Sequence, residues 1–230
     1  MIVTPHFVFL HLHKYGGSFV NHILTSIFPA SVSCGYHAPH TSIPKQFAHL
    51  PRVGTIRNPW SYYVSWYFFQ KGRRQQNVLF QTVSDDGTLS FDQTIANLAQ
   101  LGMQSARFQR LSRDLPTDLP NRGLNLNKSA VTNMEGYTGG FYSYLAEHMY
   151  GNLDGIRIMK MEHLREELLR VLREFNIEPN DSVIELINTE KKRNTSSHEK
   201  YSEYYGNETR ELIARRDSEI IERFGYRFGN

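Results

Sequence analysis

The chain has 230 residues, 40% of them hydrophobic and 21% charged, which suits one soluble globular domain with a real core. The balance of 26 basic against 23 acidic residues gives a net charge of +3, too mild for a protein built to grip a nucleic-acid backbone. A single cysteine, Cys34, excludes an intrachain disulfide framework, and no apolar run approaches the ~20 residues of a membrane span. With no signal-peptide pattern at the start, the expected setting is the cytoplasm.

In chain order, Phe7–His13 reads as a buried strand, Lys14–Gly17 as a tight loop, and Ser18 to Ile27 as a helix closed by Pro29. Ser31–Leu50 is irregular and carries His37, His40 and His49. Arg52–Ile56 is a second strand, and Pro59 sits where the first turn of a helix tolerates its missing N–H. Trp60–Gln70 continues as a strongly aromatic helix, and Lys71–Leu89 reads as a polar loop. Ser90 caps a helix over Phe91–Leu101, and Gln104–Leu111 reads as another. Arg113–Glu135, with Pro116, Pro120 and Gly123, reads as a long connection. Phe141–Tyr150 is a helix, Gly155–Lys160 a strand, and Met161–Phe175 an amphipathic helix. Asp181–Asn188 is a short helix, and Asn207–Phe224 a last one that ends at Gly225. Strands alternating with helices imply an α/β fold with a parallel sheet and ligands at the strand C-termini.

Two stretches carry chemistry. In Lys14-Tyr15-Gly16-Gly17-Ser18, the glycines let the backbone approach an anion at a helix N-terminus. The serine adds a hydroxyl and the lysine a point charge. The order differs from the Walker loop, where the lysine follows the glycines. In the second stretch, Arg57 ends a strand, Asn58-Pro59 starts a helix, and Ser65 lies about two turns along. A guanidinium fork and a hydroxyl so placed suit one phosphate. Two anion grips after two strands imply a ligand with two phosphate-type groups.

Here the sequence resembles the sulfotransferases that use 3′-phosphoadenosine 5′-phosphosulfate (PAPS), the carbohydrate or heparan type in particular. K-x-G-G-S is similar to their 5′-phosphosulfate loop. Arg57, Asn58, Pro59, Val64, Ser65 and Tyr67 are similar to their 3′-phosphate motif. A basic Ser/Thr-rich loop, a final helix and the F-G-Y-x-F close at Phe224–Phe228 resemble the C-terminal end of that family. The resemblance implies a P-loop-NTPase-like three-layer fold with a central parallel sheet flanked by helices. It implies one sulfotransferase domain over 1–230, with an acceptor-binding insertion around 71–150.

By the same resemblance, Lys14, Gly16, Gly17, Ser18 and Phe19 hold the 5′-phosphosulfate, and Arg57 and Ser65 hold the 3′-phosphate. Arg193, Asn194, Thr195 and Ser196 close over the nucleotide. The reaction implied is transfer of a sulfuryl group to an acceptor hydroxyl, on a saccharide or glycoconjugate, leaving adenosine 3′,5′-bisphosphate. Lys14 neutralises developing charge, and a histidine is the general base. His37, twenty residues before Arg57, fits that role better than His40. His11 and His13 flank the loop as packing residues.

No metal is implied, because there is no ligand cluster with zinc-like spacing. Lys71–Leu89 and Arg107–Tyr150 are the segments expected to choose the acceptor. Within them and beside them, Trp66, Tyr137, Phe141 and Tyr142 are available to stack on sugars, and Lys71, Arg73 and Arg74 to meet an acidic one. A kinase-like nucleotide-dependent transferase and a non-catalytic nucleotide-binding module remain the alternatives.

Overall fold

The computed structural model describes residues 1–115, 117, 128–191 and 199–229. In chain order its strands are β1 (Ile2–Val3), β2 (Val8–Phe9), β3 (Val32–Ser33), β4 (Arg52–Ile56) and β5 (Ile156–Lys160). Its α-helices are α1 (Gly17–Ile27), α2 (Pro59–Lys71), α3 (Val78–Ser84), α4 (Phe91–Ala99), α5 (Ser105–Asp114), α6 (Lys128–Thr132), α7 (Phe141–Tyr150), α8 (Leu164–Glu174), α9 (Asp181–Thr189), α10 (Asn207–Arg216) and α11 (Ser218–Phe224). The chain forms two compact units, Met1–Arg57 with Ala146–Thr195, and Asn58–Leu145 with Ser196–Asn230. Among the described residues, no helix is long and apolar enough to cross a membrane.

The first unit holds the sheet, in the order β3-β1-β2-β4-β5. β2, β4 and β5 are parallel, with Val8 opposite Arg52 and Arg52 opposite Ile156. This is the parallel core that the alternating pattern implies. At one edge β1 pairs antiparallel with β2, and β3 antiparallel with β1, which the sequence pattern did not announce. The cause is a tight turn after β1, where Thr4 Oγ1 accepts from the Phe7 N–H at 3.0 Å and donates to the Phe7 carbonyl at 2.9 Å. Only Val8–Phe9 of the expected strand over Phe7–His13 are laddered, because beyond Leu10, whose N–H reaches the Val53 carbonyl at 2.9 Å, the chain turns into the loop. One face of the sheet is covered by α1, α8 and α9. Phe7, Phe9, Val53 and Met159 pack there on Phe19, Ile23, Leu168, Leu172 and Ile187, a burial that supplies the main stabilising term.

The second unit is helical. α2 begins at Pro59 under an Asn58 cap that accepts from the Ser61 N–H at 3.4 Å. Lys71–Leu89, read as a loop, contains α3. Asn77 caps it by accepting from the Phe80 N–H at 2.7 Å, and Leu79, Phe80 and Val83 bury one face. Its polar flanks hid a seven-residue helix. α4 starts on a capping box between Ser90 and Gln93. The connection after Asp114 contains α6, and the last helix is broken at Asp217 into α10 and α11.

The Asp217 carboxylate is fully buried. It accepts from the Ser143 N–H at 2.9 Å, the Ser143 hydroxyl at 2.8 Å and the Tyr63 hydroxyl at 2.9 Å. Tyr63 in turn accepts from the Tyr142 N–H at 3.1 Å. The N-terminus of α7 is therefore capped from distant parts of the chain rather than by its own leading residue, Gly140. Burial raises the Asp217 carboxyl to about 6 despite these donors.

Candidate active site

The loop between β2 and α1 is shaped by two left-handed residues, Lys14 at φ 68° and Gly16 at φ 75°. Gly16 is the N-cap of α1. It has no side chain to cap the helix, and the first turn carries no acid, so the positive end of the helix dipole is not offset by the helix's own residues. A Cβ on Gly16 would lie 2.6 Å from Leu164 Cδ2, and one on Gly17 would lie 2.1 Å from His11 Cδ2. Both positions thus need glycine, the first for backbone and space, the second for space alone.

Two cations meet at this loop. Arg57, directly after β4, donates from Nη1 to the Lys14 carbonyl at 3.1 Å and so ties the end of one strand to the loop after the other. Burial, and next the Arg57 charge, lower the Lys14 ammonium from its ordinary value to about 8. Phe19 stands differently from the other loop residues. Its ring lies in the core with the Arg165 guanidinium 4.9 Å from its centroid, and its N–H closes the first turn onto the Gly16 carbonyl at 3.0 Å.

His37 comes to the same loop from the irregular segment after α1. It is 7% exposed and has φ 56°, a conformation that a non-glycine residue adopts only when its surroundings hold it. Its Nδ1 lies 3.0 Å from the His11 carbonyl oxygen. A carbonyl can only accept, so Nδ1 carries the proton. Burial, opposed by this bond, lowers the His37 imidazolium to about 4, so the ring is neutral at pH 7. A neutral ring with its proton on Nδ1 leaves the Nε2 lone pair as the basic atom.

The His11 ring lies 4.6 Å and the His13 ring 6.0 Å from that of His37. Burial holds both well below the usual histidine range, His13 at about 3. Tyr36, half exposed, stands 4.1 Å from the His37 ring, and its hydroxyl lies 3.4 Å from Ser18 Oγ. Sequence reasoning missed Tyr36, although it adjoins His37. His40 is elsewhere in the unit, its ring against the backbone of Gly151, where a Cβ would meet Nε2 at 2.8 Å.

In the second unit, the Asn58 of the Arg57 motif meets the F-G-Y-x-F close. Asn58 Nδ2 donates to the Arg227 carbonyl at 3.0 Å, and the Trp60 ring stands edge-on to Phe228 at 5.6 Å. Ser65 is buried within α2. Arg193, Asn194, Thr195 and Ser196 lie outside the described residues. Among the described residues there is no group of three or more His, Cys, Asp or Glu that could hold a metal.

The sequence matches no protein-family model and no curated protein. The structure is similar to the crystal structure of mouse sulfotransferase SULT7A1 complexed with PAP, with a TM-score of 0.53 and 11% identity, over 97% of this chain and 89% of that one. The chain shares the α/β fold seen in that sulfotransferase. At this identity the likeness is one of architecture.

Proposed function

We propose that this protein is a PAPS-dependent sulfotransferase that moves a sulfuryl group to an acceptor hydroxyl, on a saccharide or glycoconjugate, with His37 as general base. The observation that carries this reading is the His37 Nδ1–His11 carbonyl bond, 3.0 Å long, which leaves a neutral Nε2 on a ring packed near His11 and His13, the residues that lead into the Lys14 loop. The likeness to a PAP-bound sulfotransferase supports it. So does the cradle at Gly16 and Gly17, which any Cβ would fill.

The donor supplies a sulfuryl group carried on a phosphate leaving group. Nε2 of His37 takes the acceptor's hydroxyl proton as that oxygen bonds to sulfur. The Lys14 ammonium and the N–H groups at the start of α1 neutralise the phosphate oxygen released when the old S–O bond breaks. Gly16, Gly17, Ser18 and the Phe19 backbone line the 5′ end of the nucleotide. Arg57 and Ser65 take its 3′-phosphate by their match to the motif, and Arg193, Asn194, Thr195 and Ser196 close over it by theirs. His40 is the lesser candidate for the base, because its ring packs on Gly151. The segment around 71–150 selects the acceptor. There Lys71, Arg73 and Arg74 are exposed, with Arg73 lying 5.6 Å from the ring of exposed Phe69, a surface suited to an acidic sugar.

Calorimetry without added metal tests the reading. Adenosine 3′,5′-bisphosphate (PAP) binds, ATP and AMP bind far more weakly, and Arg57→Ala abolishes the preference. No PAP binding, or a magnesium-dependent preference for ATP, overturns it.

A further inference from the structure

Among the described residues that flank the loop, His11 meets His37, Tyr36 and the start of α1. Its carbonyl receives the His37 proton. Its ring stacks on Phe9 at 5.5 Å and 13°, meets Tyr36 edge-on at 5.5 Å, and lies against the Gly17 backbone. It is 1% exposed, and neither Nδ1 nor Nε2 has a hydrogen-bond partner among the described residues. With both nitrogens unengaged, the ring acts on its neighbours by shape. Burial keeps it neutral, so it sets no opposing charge beside a His37 that gains a proton in turnover.

Resting on the reading of His37 as the base, we propose that His11 is its positioning residue: the main-chain oxygen fixes the His37 proton on Nδ1, and the buried imidazole, wedged between Phe9 and the first turn of α1, fixes that oxygen. The left-handed backbone at His37 gives the arrangement its purpose. A ring on a strained residue wanders unless something holds it, and a base that presents Nδ1 instead of Nε2 misdirects its lone pair. The wedge also couples the two halves of the site. The atoms that stop the His11 ring from shifting belong to Gly17, the first residue of the anion-binding helix.

Nitrogen-15 NMR of the histidine side chains tests this without an acceptor, on wild type, His11→Ala and the volume-matched His11→Leu. The groups facing His37 are His11, His13, Tyr36 and the amino group of Met1. Wild type and His11→Leu are expected to show His37 protonated on Nδ1, titrating well below the ordinary range. His11→Ala is expected to show mixed tautomers, with the Nδ1–H form no longer dominant. An Nε2–H tautomer in wild type overturns the proposal. So does a folded His11→Ala with the wild-type tautomer. Should His11→Ala not fold, loss of the Nδ1–H form in His11→Leu overturns it and retention supports it. PAP calorimetry on wild type is read separately: a missing affinity with the tautomer intact removes the sulfotransferase reading and leaves the positioning role standing.

Discussion

Replacing Gly17 with alanine puts one methyl group where the structure has none to spare. Its Cβ would lie 2.1 Å from His11 Cδ2, 2.3 Å from Cγ and 2.8 Å from Cβ. The ring has no easy retreat, since Phe9 stacks on one side and His37 and Tyr36 press on its edges. Gly17 has ordinary helical geometry, so alanine there should gain the usual ~0.5–1 kcal/mol of helix propensity. Overpacking a tight site costs about 1–3 kcal/mol. The clash wins, and the variant should lose about 1–2 kcal/mol, a fall in melting temperature of roughly 2–8 °C.

Urea and thermal unfolding measure the loss, and a double-mutant cycle assigns it. Gly17→Ala combined with His11→Ala should be more stable than the two single losses predict, by ~1 kcal/mol or more, because the second change removes what the first collides with. A Gly17→Ala protein as stable as wild type, or strict additivity in the cycle, would refute the claim that this glycine exists to admit the His11 ring.

His37→Asn should cut sulfuryl transfer by about 10²–10⁴ while leaving PAP affinity within a few-fold, as kinetics and calorimetry on the same preparation would show. Arg57→Ala removes both a cation and the tie to the Lys14 carbonyl, and PAP affinity should fall by roughly 10–100-fold. Lys14 is held at about 8 by burial and Arg57, and a bound anion raises it again. PAP binding should therefore take up protons near pH 8 and weaken as pH rises through that value, a trend that calorimetry in buffers of different ionisation enthalpy detects and that Lys14→Ala should abolish.

Asp217 sits at about 6 against a free-carboxyl value of 3.8. Its raised pKa means that the protonated form suits the folded state. Its contribution is fully present below pH 3.8 and is lost as pH rises through 6, about 3 kcal/mol in all. Denaturation midpoints of Asp217→Asn between pH 4 and 7 should lack this slope, and an unchanged slope would show that another group causes it.

Much of the strand-to-helix framework was legible because glycine and proline punctuate it. Gly16-Gly17 and Asn58-Pro59 mark where each strand gives way to a helix, and the helices start within a residue of where those marks place them. β4 runs over Arg52–Ile56 as its apolar pattern required. What stayed hidden lies in partners distant along the chain. No local pattern shows that Val3 doubles back to pair with Val8, or that His37 finds the carbonyl of a residue 26 positions earlier. His37 could be named as a candidate base from its place between two motifs, but its tautomer could not. The turn at Asp217 looked like a continuous helix because nothing in its own neighbourhood breaks one. The break serves Tyr63 and Ser143, which come from elsewhere in the chain.

That distant cap has a consequence for how the chain comes off the ribosome. Residues 141–150 emerge long before Asp217, which is 74 positions beyond Ser143. Until then the Ser143 N–H in the leading turn of α7 lacks its acceptor, while the Tyr63 hydroxyl and the Gly140 carbonyl can already serve those of Tyr142 and Tyr144. The helix core that includes Tyr63, Tyr142 and Ser143 can therefore lock only when synthesis is nearly finished. A ribosome-bound nascent chain stalled before residue 217 should leave α7 open to protease, and one released after it should not.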